Sequence, residues 1–248
     1  MPSAPDRLTA VVLAGGLGTR IRHLAPDVPK PMIPVCGRPF LEWVIRYLQQ
    51  QGIGRVIISS GHLSAVVARH FAGQPVPGVQ VACVAESSPL GTAGGFLHAV
   101  AAAGQPAPAV WLVLNGDSLV FAALGEVLAP LANPAVQGVI VGLPVEDAAR
   151  YGTLRTDDGG RLLAFEEKRP GRGVISAGIY GLRHSLVAAC PARRPLSFEQ
   201  DLFPAWLAAG VDIRVSATTA PFLDIGTPES LARAESFIEA NLSQLQTA

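Results

Sequence analysis

The chain has 248 residues, with 19 Lys+Arg balanced by 19 Asp+Glu, 49% apolar residues, 26 Gly, 21 Pro and three Cys. That length buries a full core without disulfide staples, and zero net charge excludes the broad basic footprint of a protein that tracks duplex nucleic acid or an anionic membrane. Cys36, Cys83 and Cys190 form no CxxC pair, no apolar run approaches about 18 residues, and the N-terminus lacks a signal-peptide pattern, so reduced thiols in the cytoplasm are expected, with no nucleic-acid or membrane partner.

Leu8 to Ala14 is an apolar, β-branched run ending in glycines, which predicts a strand buried on both faces. A long loop follows from Gly15 to Arg38. Pro39 then opens a helix with Phe40, Trp43, Val44, Tyr47 and Leu48 on one stripe, and Gly52 closes it. Strands over 55–59, 79–84 and 110–114 alternate with helices over 64–71 and 92–103, a βαβ pattern that predicts a mainly parallel sheet covered by helices. After Gln137 the strands shorten (139–143, 152–155, 162–165, 174–181) and are separated by Asp-Asp-Gly-Gly and Pro-Gly turns, so that region reads as antiparallel or mixed. Helices over 198–209 and 228–241 finish the chain, with strands 213–216 and 222–225 between them. The expected organisation is one domain whose first half, about 8–135, resembles a nucleotide-binding α/β half and whose second, about 136–248, resembles a lid or substrate-binding part built onto the same sheet.

The strongest chemical feature is Leu13-Ala-Gly-Gly-Leu-Gly-Thr-Arg20, directly after the first strand. Its glycines let backbone N–H groups surround a phosphate. No Gly-Lys-Ser/Thr follows, and Ile21 stands where a dinucleotide fingerprint needs its third glycine, so both of those loops are excluded. Arg20, Arg22, Lys30 and Arg38 face only Asp27 over the stretch that follows, which places a cationic loop beside the glycines. Arginine occurs 17 times and lysine only at Lys30 and Lys168. A lysine supplies a compact point charge suited to a single phosphate oxygen, and Lys30 lies between two prolines that stiffen its backbone.

LAGGLGTR followed by PKPMIPVCGRPFLEW resembles the signature of the sugar-1-phosphate nucleotidyltransferases. The resemblance continues through PLGTAGG (89–95), NGD (115–117), RYG (150–152), FEEK (165–168), SAGIY (176–180) and FLDIGTP (222–228), and is closest to the D-glycero-α-D-manno-heptose 1-phosphate guanylyltransferases through RYGTL, FEEK, SFEQD and LDIGTPE. It implies a Rossmann-like α/β fold of the nucleotide-diphospho-sugar transferase type, a mixed, mainly parallel sheet flanked by helices. It also implies an activity that joins a nucleoside triphosphate to a sugar 1-phosphate and releases pyrophosphate. By the same resemblance Leu13, Ala14, Gly15, Gly16, Gly18 and Thr19 cradle the triphosphate, Arg20 steadies its outer phosphates, Lys30 reaches the α-phosphate, and Lys168 holds the sugar phosphate. Glu86, with Gly91 and Thr92, falls where the family reads the base. A carboxylate there accepts both the N1–H and the 2-amino group of guanine, favouring GTP. Asn115, Gly152, Glu167 and Ser176 would meet the sugar, Ser176 standing where many relatives carry Asn. Asp117 and Asp224 resemble the pair that holds Mg²⁺, which wants hard oxygen ligands.

Other readings stay open at this stage. The same chemistry serves UTP with N-acetylmuramate 1-phosphate, or GTP with mannose 1-phosphate, and a catalytically idle subunit that binds nucleotide sugars would keep the fold. Glu199 and Asp201 are equally explained by a capped surface helix. His23, His62, His70, His98 and His184 show no ligand spacing, and Trp43, Trp111 and Trp206 lie in core patterns. The stripe Leu231, Ala234, Phe237 and Ile238 packs on the sheet or on a partner, and a homo-oligomer is left open.

Overall fold

The computed structural model describes residues 8–16, 18–21, 23, 25–166, 170–191 and 195–245. Strand β1 (Leu8–Ala14) lies between two parallel neighbours, β4 (Arg55–Ser60) and β6 (Val110–Asn115), and β5 (Gln80–Ala85) extends the parallel set beyond β4. Helix α1 (Phe40–Gln50) is preceded by a small hairpin, β2 (Pro34–Val35) with β3 (Arg38–Pro39). Helices α2 (Ser64–Ala72) and α3 (Thr92–Ala102) make the next two crossovers. The chain moves outward from β1 to β4 and β5, then returns to the other side of β1 at β6. In an open α/β sheet the crevice beyond the carboxyl ends of the strands at such a reversal is the natural ligand site.

After β7 (Ser118–Val120) and α4 (Leu124–Val127) the sheet becomes mixed. The long strand β11 (Gly173–Arg183) runs antiparallel to β6 and to β8 (Val136–Val145), and reaches β9 (Thr153–Thr156), whose partner is β10 (Leu162–Glu166). Strand β12 (Asp212–Ala217) adds parallel to β8, and β13 (Phe222–Asp224) pairs with β7. The register of β11 against β8 slips between Ser176 and Tyr180, at Gly178, whose φ is +74°. A Cβ at Gly178 would overlap the Asn115 amide, so this glycine permits the bulge that lays Ser176 beside the end of β6.

The alternation along β1 assigns Ala10 and Val12 to one core, shared with α1 and α2, and Val11 to the other, shared with α3 and Phe198, Phe203 and Trp206. All three tryptophans are buried. The stripe on α1 is buried as its spacing predicts, with Tyr47 donating to the Ala122 carbonyl at 2.7 Å and Trp43 to that of Val35 at 2.9 Å. Two expected helices are interrupted. The one over 198–209 begins as a π turn, Phe198–Leu202, before α6 (Phe203–Ala208); Pro204 has no N–H to continue the earlier ladder. The one over 228–241 splits at Arg233 into α7 (Pro228–Ala232) and α8 (Ala234–Ala240). Phe237 on α8 stacks on Phe121 with ring centres 5.5 Å apart, so the C-terminal stripe belongs to this molecule's own core. A short α5 (His184–Ala188) follows β11 directly. No helix among the described residues is long and apolar enough to cross a membrane.

Glu42 is the one fully buried acid of α1, its side chain 3% exposed. It accepts from Arg38 at 2.7 Å and Arg46 at 3.0 Å and meets His70 at 3.0 Å. Burial pushes this carboxyl up, but the bonds from Arg46, Arg38 and His70 outweigh it and hold it below its ordinary value. A carboxyl depressed by folding stabilises the protein above its unfolded pKa, and that contribution disappears as pH falls through the folded value. Glu42→Ala is expected to cost about 2 kcal/mol at pH 7, because it leaves the Arg46 guanidinium, 19% exposed, without its carboxylate, whereas Arg38, 46% exposed, turns to water. The difference in Tm from the wild type, measured by thermal denaturation, should shrink steadily as pH falls below about 4.

Candidate active site

Beyond the ends of β1, β5 and β6 lies a cavity of about 450 Å³, a size suited to a small organic ligand. Of the residues expected to hold a nucleotide, Leu13, Ala14, Gly15, Gly16, Gly18, Thr19, Glu86, Gly91 and Thr92 all line it, together with Arg20 and Lys30. Asn115 and Asp117 close its far side, with Gly226. These residues come from five stretches of chain, 13–20, 30–31, 86–92, 115–117 and 226, and the fold brings them together.

Glu86 follows β5, and its carboxylate fills the space that Gly15 and Gly95 leave by lacking Cβ atoms: a Cβ on Gly15 would lie 2.5 Å from Oε1, and one on Gly95 2.7 Å. The Ser59 hydroxyl donates to Oε1 at 3.0 Å and the Leu90 amide to Oε2 at 3.2 Å. Each oxygen keeps a further lone pair. The loop after Glu86 is laced to residue 196, with the Leu196 amide donating to the Leu90 carbonyl at 2.8 Å and the Gly94 amide to the Leu196 carbonyl at 3.1 Å. Gly91 has φ +76° and a Cβ there would collide with the Leu196 carbonyl, so the loop requires glycine at this point.

Lys30 emerges from a short 3-10 turn, Lys30–Met32, and its Nζ sits 2.5 Å from Asp117 Oδ2. The lysine side chain is only 11% exposed and the aspartate 36%, so the pair stands at the floor of the cavity. Asp224 is brought next to Asp117 by pairing of β13 with β7, and the Ile225 amide donates to the Asp117 carbonyl at 2.9 Å. The Asp224 carboxylate accepts from the Tyr151 hydroxyl, from the Gly226 amide at 2.9 Å and from Arg150 at 3.4 Å. Burial, then Asp224, pushes the Tyr151 phenol up to about 12, which keeps it a donor.

Arg150 and Tyr151 also line a second cavity of about 350 Å³, together with Asn115, Gly152 and Ser176. Asn115 lines both cavities. Three of the expected sugar residues therefore meet here, while Glu167 and Lys168 lie outside the described residues. Sequence reasoning missed that Glu166, Gly178, Tyr180 and Glu199 line this wall. For Glu199, the reading as a surface capping residue fails: Ser197 is the cap, Asp201 accepts from the Ser197 amide at 2.8 Å, and Glu199 turns inward to the Tyr180 hydroxyl at 3.0 Å. Its signal was the fully apolar Phe198, Leu202 and Phe203 around it, which fix one face inward. Arg38 also departs from expectation, since it pairs with Glu42 and lies 5.8 Å over the Trp43 ring, away from the glycine loop. Arg22 lies outside the described residues.

The family model described as nucleotidyl transferase matches residues 9–241. The chain belongs to the nucleotidyl transferase family. It is 31% identical over 92% of its length to the D-glycero-alpha-D-manno-heptose 1-phosphate guanylyltransferase of Aneurinibacillus thermoaerophilus, covering 97% of that protein. It is 35% identical over 93% of its length to the mannose-1-phosphate guanylyltransferase of Mycobacterium tuberculosis, of which it spans 64%. Among solved structures, HddC from Yersinia pseudotuberculosis complexed with GMP-PN superposes with a TM-score of 0.81 at 30% identity, covering 92% of this chain and 98% of that one.

A nucleotidyl transfer puts negative charge on groups that are already anionic, so the buried Lys30 ammonium on the cavity wall is the feature most exposed to test. Lys30→Met is expected to lower kcat by about 10²–10³ while leaving the far-UV circular dichroism of the wild type intact.

Proposed function

We propose that this protein transfers GMP from GTP to a manno-configured sugar 1-phosphate, with D-glycero-α-D-manno-heptose 1-phosphate as the leading acceptor, and releases pyrophosphate. The observation that carries the choice of base is the Glu86 carboxylate on the cavity wall. Both of its oxygens are fixed by a protein donor and both retain a lone pair, an arrangement matched by the adjacent N1–H and 2-amino donors of guanine. Uracil and thymine would offer it a single N–H. The relatives support the acceptor: this chain spans nearly the full length of two heptose 1-phosphate guanylyltransferases and 64% of the mannose 1-phosphate enzyme.

In the reaction a phosphate oxygen of the sugar 1-phosphate attacks the α-phosphorus of GTP; the bond to the β-phosphate breaks and its electron pair leaves with pyrophosphate. Lys30 meets the α-phosphate, for which it exchanges Asp117 as its partner, and Arg20 meets the outer phosphates. Lys168 meets the phosphate of the sugar. The cavity wall carries no Cys, Ser or His among the described residues, which suits direct transfer by positioning and charge neutralisation.

Asp117 and Asp224 fit a Mg²⁺ ion. They are two carboxylates brought together where β13 pairs with β7; Asp117 accepts from Lys30 on one oxygen and Ser118 on the other and keeps further lone pairs, and Asp224 would take the ion in place of its long contacts from Arg150. Two carboxylates completed by substrate phosphates is a usual donor set for magnesium. When bound, the ion supplies further neutralisation of the triphosphate. Tyr151 and the Gly226 amide would orient Asp224 for that purpose, and the Ser118 hydroxyl, which donates to Asp117 Oδ1 at 3.3 Å, would hold Asp117 once Lys30 turns to the phosphate.

Pyrophosphate release with Mg²⁺, surveyed across the four ribonucleoside triphosphates and dTTP with heptose, mannose, glucose and N-acetylmuramate 1-phosphates, tests this reading. GTP with the heptose should give the highest kcat/KM, and chelation of Mg²⁺ should abolish turnover. A preference for UTP or dTTP would overturn the role given to Glu86, and absence of turnover with every pair would favour an idle binding subunit.

A further inference from the structure

The two cavities are joined by a chain of hydroxyl groups that converges on Glu199. Its Oε1 receives the Tyr180 hydroxyl at 3.0 Å, and its Oε2 receives the Ser197 hydroxyl at 2.9 Å and the Thr92 hydroxyl at 3.3 Å. A carboxylate has no proton to give, so each of these hydroxyls must donate to it. Tyr180 has then spent its only proton, so in its contact with the Ser176 hydroxyl, 3.4 Å away, the serine is the donor. The direction of every bond in the network follows from the charge at its centre.

The consequence appears on the cavity walls. Ser176 has committed its proton to Tyr180 and one lone pair to the Gly178 amide at 3.2 Å. Thr92 has committed its proton to Glu199 and one lone pair to the Phe198 amide at 3.0 Å. While these bonds hold, each presents one lone pair to its cavity and no proton. A dianionic phosphate, which only accepts, is not served by such a group; a sugar or ribose hydroxyl is. Tyr180 is fully buried, and burial holds its phenol well above the ordinary value, so the relay keeps its proton.

We propose that Glu199 is a specificity-determining positioning residue for both cavities: by orienting Thr92 directly and Ser176 through Tyr180, it makes both acceptors and so selects substrates that present hydroxyl donors at those points. This rests on the two cavities taking the nucleotide and the sugar 1-phosphate. It gives the Ser176 position a purpose: the short side chain is an acceptor by virtue of the relay behind it.

The test replaces donor hydroxyls by fluorine, which can only accept. Mannose 1-phosphate and its 2-, 3-, 4- and 6-deoxyfluoro analogues are titrated by calorimetry in the presence of a non-hydrolysable GTP analogue, against wild type, Glu199→Gln and Tyr180→Phe. Wild type should bind one analogue at least about tenfold more weakly than the other three, and both variants should bring that ratio within about threefold. Tyr180→Phe keeps the test available if Glu199→Gln lowers the melting temperature below the assay temperature. Equal binding of all four analogues by wild type, or a discrimination that persists in a folded variant, would overturn the proposal. Binding is read without turnover, so failure of the proposed reaction shows separately in the pyrophosphate survey.

Discussion

The ion pair of Lys30 with Asp117 joins residues 87 positions apart, and the architecture of the site is organised around it. On one side it fixes the loop that follows β1, including the hairpin of β2 and β3; on the other it fixes the end of β6, where the parallel part of the sheet meets the mixed part. The ammonium is only 11% exposed, so it is the lysine charge that depends on its partner here. Under the proposed reaction both are also the groups that a nucleoside triphosphate and its cation would require, so this one contact would hold those charges ready and neutral. The substrate must outbid this pairing, which favours an anion that brings its own cation.

Around that floor the fold supplies one wall per function. The glycine loop offers backbone donors, Glu86 offers carboxylate acceptors, and Asn115 stands where the two cavities meet. The second cavity is shaped by the bulge in β11 and by the π turn at Phe198–Leu202, two irregularities in otherwise regular elements. Irregular backbone of this kind re-aims side chains that a straight strand or α-helix would have pointed elsewhere. Ser176 and Glu199 owe their positions to it.

Much of this was legible in the sequence. The strands of the first half are short apolar runs, and both-face burial makes such runs unambiguous when helical stretches alternate with them; β1 lies at Leu8–Ala14 as read. The residues that line the first cavity were legible because the glycines, Arg20 and Lys30 sit in one contiguous loop. Elements of two to four residues, such as β2, β3, β7 and α4, carry no period to detect and exist only through tertiary pairing. Arg38 looked like part of the cationic loop because its partner, Glu42, belongs to the following helix. Glu199 looked like a surface acid because the inward hydroxyls it collects are 19 and 107 residues away.

The central claim is that charge placement and alignment suffice, with no covalent nucleotidyl-enzyme. The stereochemical course at the α-phosphorus tests it most directly, using a GTP analogue with sulfur at one α-oxygen, the favoured sugar 1-phosphate, and ³¹P assignment of the product's configuration. A single in-line displacement predicts inversion. Retention would require two displacements through a protein nucleophile and would contradict the account.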